Sequence, residues 1–361
     1  MADRRDVVII GAGIVGASVG FHLAQAGAEV VLVDDERAGR ATRAGAGIVG
    51  RPWRASGSPG YALRQRSIDS YASIVTRVGA TCDAIGQLYV APRGPLLEEA
   101  REGLGRVSSS VCFLEPDEAR RCFPYLSAEL SAVRVRTTLR VDGEQLRLKL
   151  IAAAERAGAM LQTGKAELVA GRHGVEAVRV DRRPRATRTV VVAAGAWSPH
   201  IVAHLGIPLR VTPQRGQIVH LGVDEETTGM PVVQPLGADH YLLPFADRRV
   251  VVGATREAGA GFAPELTAGG VSSVLGDALS VAPGLAPARI QDLRVGLRPA
   301  TPDGEPLLGA VASCPGLWIA TGMGPHGLML GPYSGKVLAD SIIGRTVDVD
   351  LGPFTPLRAF S

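Results

Sequence analysis

The sequence predicts an α/β fold, in which a Rossmann-type nucleotide-binding domain is interleaved with a smaller domain built on an antiparallel sheet. Residues 7–10, VVII, form a β-branched run that is typical of a fully buried parallel strand. A GAGIVG turn, a helix over residues 14–26 and a second apolar strand over residues 29–33 follow in βαβ order. Further along, residues 241–245 and 250–254 alternate with a period of two, which favours antiparallel strands.

The glycine-rich turn after the first strand has the spacing of a dinucleotide-binding motif. Gly11 makes the tight turn, Gly13 lets the backbone approach a pyrophosphate, and Gly16 lets the helix pack closely on the strand. The helix N-terminus offers unpaired N–H groups to that pyrophosphate. Asp34 ends the second strand, where a carboxylate can accept hydrogen bonds from ribose hydroxyls. The motif predicts a bound dinucleotide but does not distinguish NAD from FAD.

Later elements return the chain to the nucleotide-binding domain. We expect a helix over residues 146–157, which Gly158 ends, and a last strand over residues 317–320. A glycine-rich turn and a helix over residues 333–343 follow that strand. The chain of 361 residues is long enough for two domains, and no linker composition separates them.

Composition and charge argue against several classes of function. The net charge of +4 is scattered, so the arginines at residues 182–185 favour a solvated loop over a nucleic-acid interface. Cys82, Cys112, Cys122 and Cys314 form no CxxC pair, and histidines and carboxylates do not cluster, so we expect no metal site. The apolar start is too short to span a bilayer, although a secretory signal is the alternative interpretation of it. Scattered thiols favour a reducing, cytoplasmic location.

Five segments carry a resemblance to a known family in the same order along the chain. They are DERAGRATRAGAGIVG after Asp34, VVVAAGAWSPHIVAHLGIPL from Val190, HYLLPFADRRVVVGATRE from His240, RVGLRPATPDGEPLLG and LWIATGMGPHGLMLGPYSG. The chain resembles the glycine oxidase and sarcosine oxidase branch of the D-amino acid oxidase-like flavoproteins. The resemblance covers most of the chain, and only residues 61–136 match poorly.

The resemblance implies non-covalently bound FAD and the segments that hold it. It assigns residues 1–80, 140–215 and 293–361 to the FAD-binding domain, and residues 81–139 and 216–292 to the substrate-binding domain. The cofactor-binding residues that it implies are Gly11, Gly13, Ile14, Val15, Gly16, Asp34, Asp35, Ala41, Thr42, Arg43, Ala46, Gly47, Ile48, Glu167, Ala194, Gly195, Trp197, Gly322, Met323, Gly324, Pro325, His326, Gly327, Leu328 and Met329.

The segment GLRPATPDG keeps an arginine, Arg298, in what reads as a tight Gly-Leu-Arg-Pro corner. A guanidinium cannot shed its charge, so a partly buried one needs an anionic partner. In the resembled family this arginine binds the substrate carboxylate as a bidentate fork over the flavin. Tyr241 matches a family tyrosine whose hydroxyl touches the same carboxylate. The alternatives are an ion pair of Arg298 with Asp303 or Glu305, and a Tyr241 that packs in the core.

Five residues depart from the family pattern around the expected substrate pocket. Arg256 takes the place of an apolar pocket residue, and Pro325 and His326 replace the family's Arg-Asn in the closing glycine turn. Trp53 and Arg54 follow the flavin-binding loop and occupy the expected entrance. We expect a pocket reshaped for a substrate larger or more acidic than glycine, with Arg256 or Arg54 meeting a second polar group.

Two of these departures, Arg256 and His326, also have a structural interpretation. Arg256 can point to solvent against Glu257 or Glu265, and His326 can be a structural histidine rather than a hydrogen-bond donor at the flavin edge.

The resemblance implies an FAD-dependent amine or amino acid oxidase. The expected reaction is the oxidation of glycine, an N-methyl glycine or a D-amino acid, in which hydride leaves the α-carbon for flavin N5 and the imine hydrolyses. The alternatives are a flavin dehydrogenase that passes electrons to an acceptor other than oxygen, an NAD-dependent dehydrogenase, and a non-catalytic flavin-binding subunit. The expected partners are a small amino acid and oxygen or another acceptor. The sequence allows a homo-oligomer but does not set the oligomeric state.

Overall fold

A computed structural model describes residues 6–51, 57–106 and 108–360. The expected entrance residues Trp53 and Arg54 therefore lie outside the described residues. The helices of the described chain are α1 (Ile14–Gln25), α2 (Pro59–Arg77), α3 (Pro95–Gly105), α4 (Pro116–Cys122), α5 (Gly143–Arg156), α6 (Ser198–Val202), α7 (Ala268–Val281) and α8 (Gly327–Ile342).

The strands of the described chain fall into four sheets. In chain order they are β1 (Asp6–Ile10), β2 (Glu29–Asp34), β3 (Ile48–Val49), β4 (Asp83–Ala84), β5 (Gln87–Pro92), β6 (Cys112–Leu114), β7 (Leu130–Val135), β8 (Leu139–Arg140), β9 (Met160–Thr163), β10 (Ala166–Gly171), β11 (Gly174–Val180), β12 (Arg183–Ala186), β13 (Thr189–Val192), β14 (Thr212–Gly222), β15 (Val232–Pro235), β16 (Tyr241–Phe245), β17 (Arg249–Gly253), β18 (Arg289–Ala300), β19 (Leu307–Ala310) and β20 (Leu317–Thr321).

A six-stranded sheet in the order β19-β20-β13-β1-β2-β9 forms the nucleotide-binding half. Its strands are parallel except at the edge, where β19 runs antiparallel to β20. Side chains of β1 alternate between two cores. Val7 and Ile9 pack with α1, α2, α5 and α8, whereas Val8 and Ile10 pack towards the three-stranded sheet β10-β11-β12. Both faces are covered, as parallel sheets require, so the predicted Rossmann-type arrangement is confirmed.

An eight-stranded sheet in the order β18-β14-β17-β16-β15-β5-β7-β6 forms the other half. Its neighbours are antiparallel except for β15 and β5, which run parallel. Helix α7 packs on one face over an apolar cluster that includes Val219, Val252 and Val274. The expected antiparallel second domain is therefore present. Strands β14 and β18 both cross the predicted domain boundaries, so these limits do not coincide with the ends of strands. The assignment of residues 81–139 and 216–292 to the second domain remains a prediction.

The two long paired strands, β14 and β18, link the halves. Leu297, in β18, donates its backbone N–H to the Gly39 carbonyl at 2.8 Å. Next to it, Gly296 has no side chain, and a Cβ there would meet Ala44 Cβ at 2.8 Å. The loop that follows β2 therefore lies directly against β18, which brings the nucleotide-binding loop to the antiparallel sheet.

The predicted corner around Arg298 is wrong. Arg298 and Pro299 continue β18, a twelve-residue strand that pairs with β14 along its whole length. Pro299 is tolerated near the end of an edge strand because it removes a single ladder donor there. Arg298 is thus held on a rigid strand rather than in a turn.

The last helix begins earlier than the sequence predicts. Helix α8 starts at Gly327 rather than residue 333, and Pro332 lies inside it. A proline inside a helix leaves the carbonyl four residues earlier without its usual N–H donor. That carbonyl, of Leu328, instead accepts a hydrogen bond from the Tyr71 hydroxyl at 3.0 Å. The Pro332 carbonyl accepts one from Ser18 at 2.7 Å.

Candidate active site

A cavity of about 490 Å³ lies between the carboxyl ends of the parallel strands and the eight-stranded sheet. This is a position at which open α/β sheets bind nucleotides, and the volume falls in the range of small-molecule sites. The cavity extends from the ends of β1 and β2 to side chains on β16 and β18. We describe the end near Asp34 first and then the end near Arg298.

The glycine turn after β1 is built as the motif predicts. Gly11 has a φ of +102°, and a Cβ there would meet the Ala193 carbonyl oxygen at 2.6 Å. A Cβ at Gly16 would overlap the Gly11 carbonyl oxygen, so close packing of α1 on this turn depends on glycine. Gly13 precedes α1 and provides no side-chain cap, and the first turn of the helix faces the cavity.

Asp34 lies at the end of β2 and lines the cavity. Its Oδ2 accepts a hydrogen bond from the Ala12 N–H at 2.7 Å, and its Oδ1 accepts one from the Glu36 N–H at 2.8 Å. Arg40 lies 3.1 Å from Oδ1. The carboxylate thereby holds the glycine turn in place, and its remaining acceptor positions border the cavity.

The loop after β2 closes over the helix terminus. Thr42 accepts a hydrogen bond from the Ile14 N–H at 3.1 Å through its hydroxyl oxygen. Gly47 has a φ of +93°, and a Cβ there would overlap the Val141 carbonyl oxygen. A glycine is therefore needed where this loop passes the segment before α5.

Most residues that the resemblance implies for the cofactor lie together on this cavity. Those that line it are Gly11, Gly13, Ile14, Val15, Asp34, Asp35, Ala41, Thr42, Ala46, Gly47, Ile48, Ala194, Gly195, Trp197, Met323, Gly324, Pro325, His326, Gly327, Leu328 and Met329. Their roles in binding the cofactor remain predictions.

Four other implied cofactor residues do not line the cavity. Gly16 is buried beneath the turn, where it permits packing. Arg43 is exposed, and its carbonyl accepts a hydrogen bond from Arg294. Glu167 is exposed because it occupies an outward position of β10, and the cavity wall there is Ala166 instead. Gly322 has a φ of +76° and packs against Thr301 and Leu307 behind the wall.

The donor set fits a bound FAD. The N-terminus of α1 and the glycine turn would hold the pyrophosphate, and Asp34 would meet the ribose hydroxyls. The N-terminus of α8, which carries no side-chain cap, would lie at the flavin end and favour negative charge there.

Arg298 projects into the far end of the cavity. Its Nη1 donates a hydrogen bond to the Thr255 carbonyl at 2.8 Å, and no described carboxylate forms an ion pair with it. The two acids named as alternative partners are engaged elsewhere. Asp303 pairs with Arg358 at 2.9 Å, and Glu305 lies 3.7 Å from Arg64. Burial lowers the pKa of Arg298, and the nearby Arg256 lowers it further.

Tyr241 lies on the same face of the sheet as Arg298. It pairs with Gly253 across β16 and β17, and its hydroxyl would be 3.0 Å from a Cβ at Gly253. No described residue forms a hydrogen bond with that hydroxyl, which faces the cavity. Burial raises the pKa of Tyr241 to about 12, although Arg298 and Arg256 oppose the rise. The hydroxyl therefore remains a neutral donor at physiological pH.

Arg256 lines the cavity next to Asp239. Its Nε lies 3.1 Å from Asp239 Oδ2, and the two side chains are 39% and 72% exposed. The expected solvent pairs do not form, since Glu257 instead pairs with Arg215.

His326 lines the cavity and has exposed surface. Burial lowers the pKa of His326, and the charges of Arg64, Arg256 and Arg298 lower it further. The imidazole is therefore neutral at physiological pH and can donate from one nitrogen and accept at the other.

Sequence reasoning missed several polar residues on the cavity wall. They are Arg40, Arg51, Arg64, Gln87, Tyr89, Gln234 and Asp239. Arg40 had a usable signal, because a cation six residues after the acid that ends β2 can reach back to it. Arg64, Gln87 and Tyr89 fall inside the poorly matched segment, Arg51 follows the resembling segment that ends at Gly50, and only the tertiary fold brings these four residues to the cavity.

Neither of two other site types is found in the described residues. No group of three or more histidines, cysteines and carboxylates is arranged to hold a metal ion there. None of the described helices combines the length and the apolar character that crossing a membrane requires.

The chain is similar to known flavoproteins along almost its whole length. The sequence model of the FAD-dependent oxidoreductase family matches residues 6–341. A solved structure of iminodiacetate oxidase from Chelativorans sp. BNC1 is 38% identical, has a TM-score of 0.92 and covers 97% of this chain and 98% of its own. The oxidoreductase YurR of Bacillus subtilis strain 168 is 35% identical, and the match spans 99% of this chain and all of YurR. Glycine oxidase of Pseudomonas aeruginosa is 31% identical, with 99% of both chains covered.

Proposed function

Because the chain belongs to the D-amino acid oxidase (DAO) family of FAD-dependent oxidoreductases, we propose that it oxidises a small amino acid at the carbon that bears the amine. The substrate class comprises glycine, its N-substituted derivatives and D-amino acids. One observation carries the proposal. The Arg298 guanidinium faces the cavity without a carboxylate partner among the described residues, beside the residues that would hold the flavin.

A substrate carboxylate is the ligand that this arginine suits. Nη1 of Arg298 is engaged with Thr255, so the outward edge of the planar group is available to an anion from the cavity. A guanidinium matches a carboxylate in geometry as well as charge, and the match fixes the angle of the bound molecule. Tyr241 lies on the same sheet face and would add a neutral O–H donor to the same carboxylate.

The proposed reaction needs positioning more than it needs a strong base. The amine loses a proton to solvent, hydride leaves the α-carbon, and the resulting imine is hydrolysed by water to the carbonyl compound and an amine or ammonia. Bound FAD supplies the acceptor for that hydride. Arg298 and Tyr241 hold the acid end of the substrate so that its α-carbon faces the cofactor, and this orientation accounts for most of the rate gain.

His326 has a supporting role in this proposal. A neutral imidazole in the turn before α8 can donate a hydrogen bond to a polar edge of the cofactor. Because it carries no charge, it does not compete with the arginines for the substrate anion.

The names of two relatives support the substrate class. One is called a glycine oxidase and the other an iminodiacetate oxidase, and both of these compounds are amines with a carboxylate on the neighbouring carbon. The alternative is a dehydrogenase that performs the same oxidation of the substrate but passes electrons to another acceptor. None of Lys149, Lys165 and Lys336 lines the cavity, so arginine supplies the positive charge near the cofactor in either case.

We also propose a reducing cytoplasmic location. Cys82, Cys112, Cys122 and Cys314 are all free thiols, and Cys112 is exposed. Thiol titration of the protein purified from cells should find four reactive groups after unfolding.

Flavin reduction without oxygen tests the proposed function. Glycine, sarcosine, iminodiacetate and a series of D-amino acids are each mixed anaerobically with the holoenzyme, and the oxidised flavin absorbance is followed. We expect at least one to bleach the flavin rapidly, and Arg298→Met to slow that reduction by about 1,000-fold, with Arg298→Lys intermediate. Failure of every compound, or an Arg298→Met variant as fast as the parent, would refute the proposal. A pulse of oxygen into the reduced enzyme then separates oxidase from dehydrogenase.

A further inference from the structure

Helix α2 places a second arginine, Arg64, on the wall of the substrate end of the cavity. Its side chain is 18% exposed. Its Nε is buried and has no hydrogen-bond partner, and its Nη2 lies 3.7 Å from Glu305 Oε1, which is too far for a hydrogen bond. A buried donor without a partner is costly, and native proteins seldom leave a guanidinium in this condition.

Arg64 and Glu305 form a long ion pair at 3.7 Å. The second oxygen of Glu305, Oε2, is itself buried without a hydrogen bond, and its carboxylate packs against Gly60 at the start of α2. Glu305 does not line the cavity, whereas Arg64 does. The acid of this ion pair therefore lies behind the wall, whereas the arginine side chain also faces the cavity.

Three arginines and one histidine line the same cavity. They are Arg64, Arg256, Arg298 and His326, and the charges of the three arginines each lower the pKa of His326. Arg256 is balanced by Asp239 at 3.1 Å and is half-exposed. If Arg298 binds one carboxylate, Arg64 remains as a mostly enclosed cation on the wall, and its described ion-pair partner, Glu305 at 3.7 Å, does not line the cavity.

Arg51, the remaining arginine on this part of the wall, is already engaged. It contacts Gln65 and Asp69 on α2 through its two terminal nitrogens. Among the described acids, only Asp239 lines this end of the cavity, and it faces solvent and pairs with Arg256. The residues that line the substrate end therefore carry more positive than negative charge, because the acid partners of Arg51 and Arg64 lie outside the lining, and such a lining favours an anion.

We infer that Arg64 forms a second anion subsite, and that the substrate is an amino acid with a second carboxylate. The inference rests on the proposed function, since Arg298 takes the first carboxylate. The second carboxylate can sit on the substituent of the amine, as in iminodiacetate, or on the side chain, as in D-aspartate. Both present the same charged group, and the experiment separates them.

Matched acid and amide substrates test the subsite. Iminodiacetate is compared with its monoamide, and D-aspartate with D-asparagine, so each pair differs by one charge at nearly constant shape. We expect the parent enzyme to prefer the acid of one pair, and Arg64→Met to lower kcat/KM for that acid by about 10- to 100-fold while the amide is unaffected. The pair that shows the preference identifies where the second carboxylate is attached.

Arg66→Met is the matched control. Arg66 lies two residues along α2, does not line the cavity, and is 56% exposed. Arg66→Met removes the same charge from the same helix and should leave the preference for acid over amide unchanged in both substrate pairs. Arg64→Lys keeps the charge but loses the planar fork, and it should recover part of the acid preference.

A binding measurement gives a readout that does not depend on turnover. Thiodiacetate has two carboxylates and no amine to oxidise, and (methylthio)acetate, CH3–S–CH2–COO−, has one carboxylate. We expect thiodiacetate to perturb the bound flavin spectrum at a lower concentration than (methylthio)acetate does. Arg64→Met should raise the dissociation constant of thiodiacetate by about 10-fold or more without changing that of (methylthio)acetate.

The outcomes separate the two proposals. Equal use of acid and amide by the parent enzyme, or an unchanged preference in Arg64→Met, overturns the subsite while leaving the Arg298 proposal standing. A loss of the preference in Arg256→Met but not in Arg64→Met overturns the assignment to Arg64. A parent enzyme that turns over none of the substrates would instead refute the proposed function. Flavin content and melting temperature of Arg64→Met confirm that the variant is folded.

Discussion

The guanidinium of Arg298 lies over the Cα of Gly216, on the neighbouring strand of the eight-stranded sheet. A Cβ at Gly216 would come within 2.5 Å of Cζ of Arg298. In the same way, a Cβ at Gly253 would meet the Tyr241 hydroxyl at 3.0 Å. Two glycines thus leave an open area on the sheet face, and the two polar groups proposed to bind the substrate carboxylate occupy it.

We predict that Gly216→Ala disturbs the substrate site while sparing the cofactor site. The added methyl group must displace the Arg298 guanidinium, because β14 and β18 are paired along their length and cannot separate cheaply. We expect kcat/KM to fall by about 10- to 100-fold, the cost of losing a well-aligned charged hydrogen bond. Steady-state kinetics and flavin content measure the two effects.

Gly276→Ala is the control for that substitution. Gly276 lies in α7, and a Cβ there would meet nothing within 4 Å. This change should leave kcat/KM unaltered and can stabilise the helix by about 0.5–1 kcal/mol. A Gly216→Ala enzyme with unaltered kinetics would contradict the claim that Arg298 needs this space.

The nucleotide-binding half was the more predictable part of the fold. Strand β1, helix α1 and strand β2 lie within one or two residues of their predicted bounds, because local periodicity and the glycine spacing determine them. The start of α8 was not predictable in this way. Its Pro332 violates a local rule, and the compensating hydroxyl of Tyr71 comes from a helix more than 250 residues earlier.

The candidate site was predictable where a motif carries a residue and not elsewhere. Arg298 and Tyr241 lie in segments that resemble the family, and both line the cavity. Arg64 lies in a stretch without a motif, where LRQR reads as an ordinary polar helix. Its position on the wall depends on how α2 packs against α8, which the sequence pattern does not specify.

A second prediction concerns the hydroxyl of Tyr71. It donates to the Leu328 carbonyl, which Pro332 leaves without a helical donor, and both groups are buried. Tyr71→Phe leaves that carbonyl unpaired and should lower the free energy of unfolding by about 1–3 kcal/mol. The urea midpoint of the holoenzyme measures the loss.

Tyr61→Phe on the same helix is the control for Tyr71→Phe, since no described residue hydrogen-bonds the Tyr61 hydroxyl. Equal midpoints for the two variants would show that α8 does not depend on this hydrogen bond.

A third prediction concerns acid sensitivity. Burial within the core around α1 and α8 lowers the pKa of His22 to about 4, and the charges of Arg77 and Lys336 act in the same direction. The unfolded chain has the ordinary pKa of about 6.5, so below that pH it binds more protons than the folded chain. The stability contributed by neutral His22 is complete above pH 6.5. It declines as the pH falls towards 4, by up to about 1.4 kcal/mol per pH unit.

His22→Leu should therefore make unfolding free energy less dependent on pH between 6.5 and 4.5. The quantity to compare is the slope of that free energy against pH, from chemical denaturation, rather than its absolute value. His173→Gln alters an exposed histidine in the β10–β11 turn and serves as the matched variant. Identical slopes for His22→Leu and the parent protein would exclude His22 as a source of acid instability.

A fourth prediction separates the cofactor site from the substrate site. Asp34 fixes the glycine turn through the Ala12 N–H at 2.7 Å and would also accept the ribose hydroxyls of FAD. Asp34→Ala removes both functions and should raise the dissociation constant for FAD by about 10- to 100-fold. Asp34→Asn keeps a carbonyl acceptor for the turn and should have a smaller effect. Fluorescence titration of the apoprotein with FAD measures both constants.

The kinetic consequence of Asp34→Ala distinguishes it from the arginine variants. With FAD in saturating excess, KM for the amino acid should stay near the parent value, because Asp34 lies at the opposite end of the cavity from Arg298. Asp247→Ala, in the exposed turn between β16 and β17, should change neither constant. An Asp34→Ala protein that binds FAD as tightly as the parent would show that the ribose is held elsewhere, and the nucleotide would then need another path through the cavity.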